Sequence, residues 1–169
     1  MKRDELTQTL DTIFADFWPK YLLSNILRLR EMVELAGTPT DALILQVIAW
    51  SNLLSKTVEA DINPTDFSSV LDIWERGTIE ELYNLSNNIK ILNVSGIANQ
   101  TGLPFETVRR RIRALEKKGI VENNKKFGLL LNQNTEFFKR ITHELNPREK
   151  KAVIELAYHF LKSSGEQDD

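Results

Sequence analysis

Three residues, Ala98, Gly102 and Val108, constrain this chain more than any other feature of its sequence. A small residue suits a place where two helices cross closely. A glycine four residues later admits the positive φ of a tight turn. An aliphatic residue six further on points back into the crossing. This is the spacing of a helix-turn-helix, with Ile97 and Leu103 as the other core positions. Ser95 can cap the first of the two helices. The second opens at Pro104, and Val108, Ile112 and Leu115 recur at i, i+4 and i+7 as its inward face.

The outward face of that second helix carries Phe105, Glu106, Thr107, Arg109, Arg110 and Arg113. An α-helix fits the DNA major groove, and its first turns can then reach base edges. Arginine bonds guanine O6 and N7 bidentately or holds phosphates. Glutamate accepts from a cytosine amino group or orients a neighbouring arginine. Glu106 and Arg110 stand at i and i+4 for the second role. After Gly119, two short apolar runs flank the polar stretch Asn123-Asn124-Lys125-Lys126. They read as a β-hairpin with Lys125 and Lys126 at its tip, although the turn lacks an Asn-Gly pair.

Charge is divided unevenly along the chain. The formal net charge is −2. Residues 1–88 hold 7 basic and 14 acidic side chains, a net of −7. Residues 89–132 hold 9 basic and 3 acidic, a net of +6. A basic segment joined to an acidic half implies that one part meets a polyanion and the other does something else.

The stretch GLPFETVRRRIRALEKKGIV resembles the recognition helices of MarR-like and IclR-like repressors, within the winged helix-turn-helix domains of bacterial transcription regulators. The resemblance covers residues 79–132, about a third of the chain. It implies a first helix over 79–88, a short strand over 89–94, a positioning helix from Ser95, a recognition helix over 104–118 and a wing over 120–131. It also implies that Lys125 and Lys126, within the basic wing tip 123–128, touch phosphate or the minor groove. Two departures stand out. Arg111 occupies a position where such domains carry an aliphatic residue, which suggests a side chain snorkelling at the core edge. Leu103 lacks the usual Ser/Thr cap, partly offset by Pro104 and Glu106. A run of arginines is in most proteins a solvated helix face. Winged helices also serve as protein-binding modules, so the alternative is a module docking an acidic partner.

The remaining sequence reads as helical. A first helix over 4–17 is expected to kink or restart at Pro19 and continue to Ala36, with Gly37 as C-cap. Leu22, Ile26, Leu29 and Val33 would form one buried face of it. Thr38-Pro39-Thr40-Asp41 starts a helix expected over 39–60, striped by Leu43, Val47, Trp50, Leu54 and Val58, with Ile44 and Ile48 widening the stripe toward more than one neighbour. Asn63-Pro64 and Thr78 start two more. Two helices over 135–145 and 147–162 close the chain, the second restarted by Asn146-Pro147, with a frayed tail after them. The expected fold is mainly α: a helical N-terminal region (1–78), a winged helix-turn-helix with a small β-hairpin wing (79–132) and C-terminal helices (133–169).

Several classes of function are excluded or disfavoured. The chain has no cysteine, so disulfides, thiolate metal sites and a cysteine nucleophile are ruled out. No apolar run approaches the roughly 18 residues of a membrane span. His143 and His159 have no metal-ligand spacing. No phosphate-binding loop, dinucleotide fingerprint or nucleophile elbow is present. The expectation is a non-enzymatic, cytoplasmic regulator without cofactor or metal. It binds double-stranded DNA sequence-specifically as a homodimer, away from membranes. The acidic N-terminal helices would mediate dimerisation, joined by Val153, Leu156, Ala157 and Phe160. They could also enclose a small-molecule effector among Phe17, Trp18, Tyr21 and Trp50, with Phe14 and Trp74 nearby; the same aromatics also fit a plain hydrophobic core.

Overall fold

Thr38, Asn93 and Thr135 each start a helix by accepting from an orphan amide of its first turn. The computed structural model describes residues 3–54 and 91–165. The described elements are mainly helical, with a small two-stranded antiparallel sheet. They fall into two compact units, Val33–Thr142 and the pairing of Met1–Met32 with His143–Asp169.

In the first of these, α2 (Pro39–Ala49) begins where Thr38 Oγ1 accepts from the Asp41 amide at 3.1 Å, with Pro39 in the first turn. It runs on into a π-helical turn, Trp50–Leu54. Helix α3 (Val94–Thr101) is capped by Asn93, whose Oδ1 accepts from the Gly96 amide at 2.8 Å. Ser95, the cap expected from sequence, lies inside the helix. Asn93 takes the role because it stands one residue before the first helical turn in extended backbone. Gly102 ends α3 at φ +69, its amide donating to the Ala98 carbonyl at 2.9 Å. Helix α4 (Phe105–Lys117) follows directly from Pro104.

The strands β1 (Val121–Asn124) and β2 (Gly128–Leu131) pair in antiparallel register from Val121↔Leu131 to Asn124↔Gly128. Asn124 Oδ1 accepts from the amides of Lys126 and Phe127 at 2.8 and 3.1 Å. That Asx-type turn does the work an Asn-Gly pair does elsewhere. The expected strand at 89–94 is, among described residues, a single parallel bridge of Leu92 to Gly128 on the far edge of β2. Helix α5 (Glu136–Arg140) is capped by Thr135 and passes through a π-helical turn, Ile141–Leu145, into α6 (Asn146–Gly165). Asn146 and Pro147 open α6 as expected, and the chain enters it through the π-helical turn rather than a loop. A proline early in a helical turn leaves little to lose when the turn before it is already π-helical.

Helix α2 packs against α3, α4 and β2. Its buried residues are Ile44, Leu45 and Ile48, whereas Leu43 and Trp50 are exposed. The broad stripe expected from sequence is thus buried along its Ile44–Ile48 edge and exposed at Leu43 and Trp50, because only tertiary neighbours choose which part of it is covered. The core gathers Ile44, Leu45 and Ile48 with Ile97, Val108, Ile112, Leu115, Phe127 and all of Leu129, Leu130 and Leu131. Each fully buried side chain of this size contributes about 1.5–3 kcal/mol. Residues 39–54, assigned from sequence to an N-terminal region, therefore belong to the same unit as α3, α4 and the β1–β2 hairpin. The first helix expected at 79–88, the helix after Pro64 and Trp74 lie outside the described residues.

In the other unit, α1 (Arg3–Ala36) contributes its residues up to Met32. It passes through Pro19 without a break. One missing amide donor in a helix of 34 residues leaves most of the ladder intact. Arg28 pairs with Glu149, and Arg148 Nη1 donates to Glu31 Oε1 at 2.6 Å. Phe17 meets Phe160 edge-on at 6.4 Å. Leu22, Ile26 and Leu29, expected to be buried, are exposed. A groove of about 530 Å³ runs between α1 and α6, lined by Tyr21, Ser24, Arg28, Ala152 and Leu156 among others.

Candidate nucleic-acid interface

Helix α4 divides cleanly by burial. Val108 and Leu115 are fully buried and Ile112 nearly so. Phe105, Glu106, Arg110 and Arg113 are exposed; Thr107 and Arg109 are half-exposed. The period that buries one face necessarily turns these six side chains away from the core.

Glu106 holds Arg109 rather than Arg110. Arg109 Nε lies 3.1 and 2.9 Å from its two carboxylate oxygens, and Nη2 lies 2.6 Å from Oε2. An exposed i,i+3 pair contributes about 0.3–0.5 kcal/mol, so its main effect is to restrict the guanidinium. The Glu106 charge also suits a helix N-terminus. Arg110 and Arg113 form no ion pair among the described residues. At the hairpin, Lys125 and Lys126 are exposed, and Lys126 Nζ sits 4.6 Å from the Phe127 ring centroid.

Arg111 does not belong to this face. Its Nε donates to Asp41 Oδ1 at 2.7 Å, and Nη2 reaches both Asp41 Oδ2 and, at 3.2 Å, Thr38 Oγ1. The Asp41 side chain is 1% exposed. The hydrogen bond to Asp41 pushes the guanidinium above its ordinary range, against the opposing effect of burial. Arg111, expected to snorkel at the core edge, is instead held by an acid on α2.

Asn52 escaped the sequence reading altogether. It is fully buried in the π-helical turn after α2. Its Nδ2 donates to the Leu129 carbonyl at 3.2 Å and its Oδ1 accepts from the Leu131 amide at 2.9 Å. The available signal was an asparagine inside an otherwise apolar helical stretch.

Of the aromatic residues proposed to enclose an effector, Phe17 and Trp18 each lie against Tyr21 on α1. Phe17, Trp18 and Tyr21 stand in one unit and Trp50 in the other. Trp18 stacks on Phe14 and tilts against Tyr21, each pair at 5.3 Å between centroids. Trp18, Tyr21 and Trp50 are exposed. Phe17 is half-buried against Phe160 of α6, and Tyr21 lines the groove between the two helices.

Among the described residues no cluster of three or more His, Asp or Glu side chains is placed to hold a metal ion. No single described helix is long and apolar enough to cross a membrane. Comparison with protein-family models, curated proteins and solved structures gives no match.

Proposed function

We propose that this protein is a sequence-specific DNA-binding regulator built on a winged helix-turn-helix. Helix α4 enters the major groove and the β1–β2 hairpin forms the wing. The observation that carries this reading is the division of α4 into a buried aliphatic face and an outer face with Arg109, Arg110 and Arg113. A basic helix held rigidly by its other face supplies base-edge donors. Exposed Lys125 and Lys126 supply sequence-independent attraction to phosphate. Leu92 bridging Gly128 gives the hairpin a third strand position, which supports the winged arrangement.

The reading includes a homodimer. In the unit containing α1 and α6, twelve large apolar side chains are 39–62% exposed, from Phe14 and Leu23 on α1 to Tyr158 and Leu161 on α6. Their exposed area is on the order of 1,000 Å², from typical side-chain areas. A stable interface buries about 800 Å² per partner. A second copy matches this requirement in both chemistry and size. A two-fold dimer presents two copies of α4 to a pseudo-palindromic site.

The test is fluorescence anisotropy with labelled genomic duplexes at two salt concentrations. One duplex is expected to bind well above the rest, with affinity falling steeply as salt rises. Absence of binding at low salt, together with capture of an acidic protein partner, would replace this reading by a protein-docking module.

A further inference from the structure

Helix α2 carries two polar clamps, one toward each element proposed to meet DNA. At its N-terminal end, Asp41 and Thr38 hold Arg111 of α4. Just past its C-terminal end, Asn52 holds the backbone of β2. The second contact has a specific form. On the edge of β2 away from β1, the Leu129 amide donates to the Leu92 carbonyl at 2.9 Å. The next two groups along that edge, the Leu129 carbonyl and the Leu131 amide, are taken by the two ends of the Asn52 carboxamide. The side-chain amide thus stands in for a peptide group of a neighbouring strand. It completes an edge that would otherwise carry unpaired backbone groups in a buried place.

The Asp41–Arg111 clamp is polar where aliphatic residues could pack, whereas an aliphatic residue at 52 would leave the Leu129 carbonyl and the Leu131 amide without this partner. Buried ion pairs add little net stability, because desolvation offsets most of their attraction. What they supply is direction. A bidentate guanidinium–carboxylate pair and a two-point amide each define one orientation, whereas aliphatic contacts tolerate sliding.

We propose that α2 sets the recognition helix and the wing relative to one another, and that Asp41, Arg111 and Asn52 are positioning residues for DNA reading. Arg111 does not touch DNA, although it sits between Arg110 and Ile112 in the basic run. This rests on the DNA-binding reading above. A misaligned α4 loses base contacts but keeps its phosphate attraction. The signature of a positioning residue is therefore a loss confined to the preferred site.

The experiment uses the full chain, the preferred genomic duplex and a scrambled duplex of equal length. The variants are Asn52→Ala, Asp41→Asn, Arg111→Met and the last two combined, assayed below their melting temperatures. Each single variant is expected to weaken binding to the preferred duplex by about tenfold or more. Binding to the scrambled duplex and the salt slope stay at wild-type values. The combined variant is expected to be no weaker than the weaker of its two parents, because both remove one interaction. Should a variant fail to fold, Asn52→Asp and Arg111→Lys take its place. Hydrogen exchange of the wild-type Leu131 amide then serves as a second measure, with strong protection expected.

Two results overturn the proposal while leaving the DNA reading intact. One is Arg111→Met weakening both duplexes and lowering the salt slope by about one while Asp41→Asn changes nothing, which would make Arg111 a phosphate contact. The other is wild-type discrimination in every folded variant, or a Leu131 amide that exchanges like an exposed one. Failure of the wild-type protein to bind any duplex removes the DNA reading and this proposal together.

Discussion

A β-carbon placed on Gly128 would stand 2.2 Å from the Leu92 carbonyl oxygen. The same glycine has φ +78, in the region that L side chains avoid. Backbone approach and backbone conformation thus demand glycine at one point, where the hairpin meets the segment before α3. Gly128→Ala is expected to destabilise the protein by about 2–4 kcal/mol, combining left-handed strain with the clash. Urea denaturation followed by circular dichroism measures this. A loss below about 0.5 kcal/mol would mean that Leu92 and β2 are not in contact.

Asn93 and Ser95 compete for one role at the start of α3. The Asn93 carboxamide makes the capping bond, so Asn93→Ala is expected to cost about 1 kcal/mol. Ser95→Ala should lie within about 0.5 kcal/mol of wild type, as exposed substitutions away from such features do. Chemical denaturation of the two variants side by side decides between them, and the reverse order would move the helix start.

On the outer face of α4, Arg109→Ala and Arg110→Ala are each expected to weaken binding to the preferred duplex by about 1–3 kcal/mol and to relax base preference at one position. A competition series with single-base changes in that duplex reads this out. Unchanged retention in both variants would remove α4 from the interface.

The wing lysines should behave differently. Lys125→Ala and Lys126→Ala are expected to weaken binding to all duplexes alike and to lower the slope of log K against log salt by about one each. Sequence-dependent losses would instead place these side chains on base edges.

For the α1–α6 unit, Ile26→Glu and Tyr158→Glu are expected to convert a dimer to a monomer in light scattering at micromolar concentration. Both side chains are about 60% exposed within one chain, so neither change should unfold it. Wild-type protein that is already monomeric would end the dimer reading.

Much of the region around α4 was legible before any coordinates. Val108, Ile112 and Leu115 are buried as their spacing requires, and Gly102 takes the positive φ of the turn. The hairpin forms between the two apolar runs that flank Lys125 and Lys126. These features follow from local rules: helical period, glycine's freedom at positive φ, and the alternation of apolar runs with polar turns. Local rules did not reach the long-range choices. Within the broad stripe of α2, Ile44 and Ile48 are buried and Leu43 and Trp50 are not, because α3, α4 and β2 select which part of it is covered. Arg111 found its acid 70 residues away, and Asn52 its strand 77 and 79 away, distances over which no spacing pattern operates. The aromatic run from Phe14 to Tyr21 looked like core or pocket because its composition is that of both. The chain's own residues thus determined where helices, turns and the basic face occur, since each depends on neighbours within a few positions. Which faces are buried, and which polar groups are held together, was decided only in the tertiary structure, where burial removes water and leaves each polar group to find its partner in space.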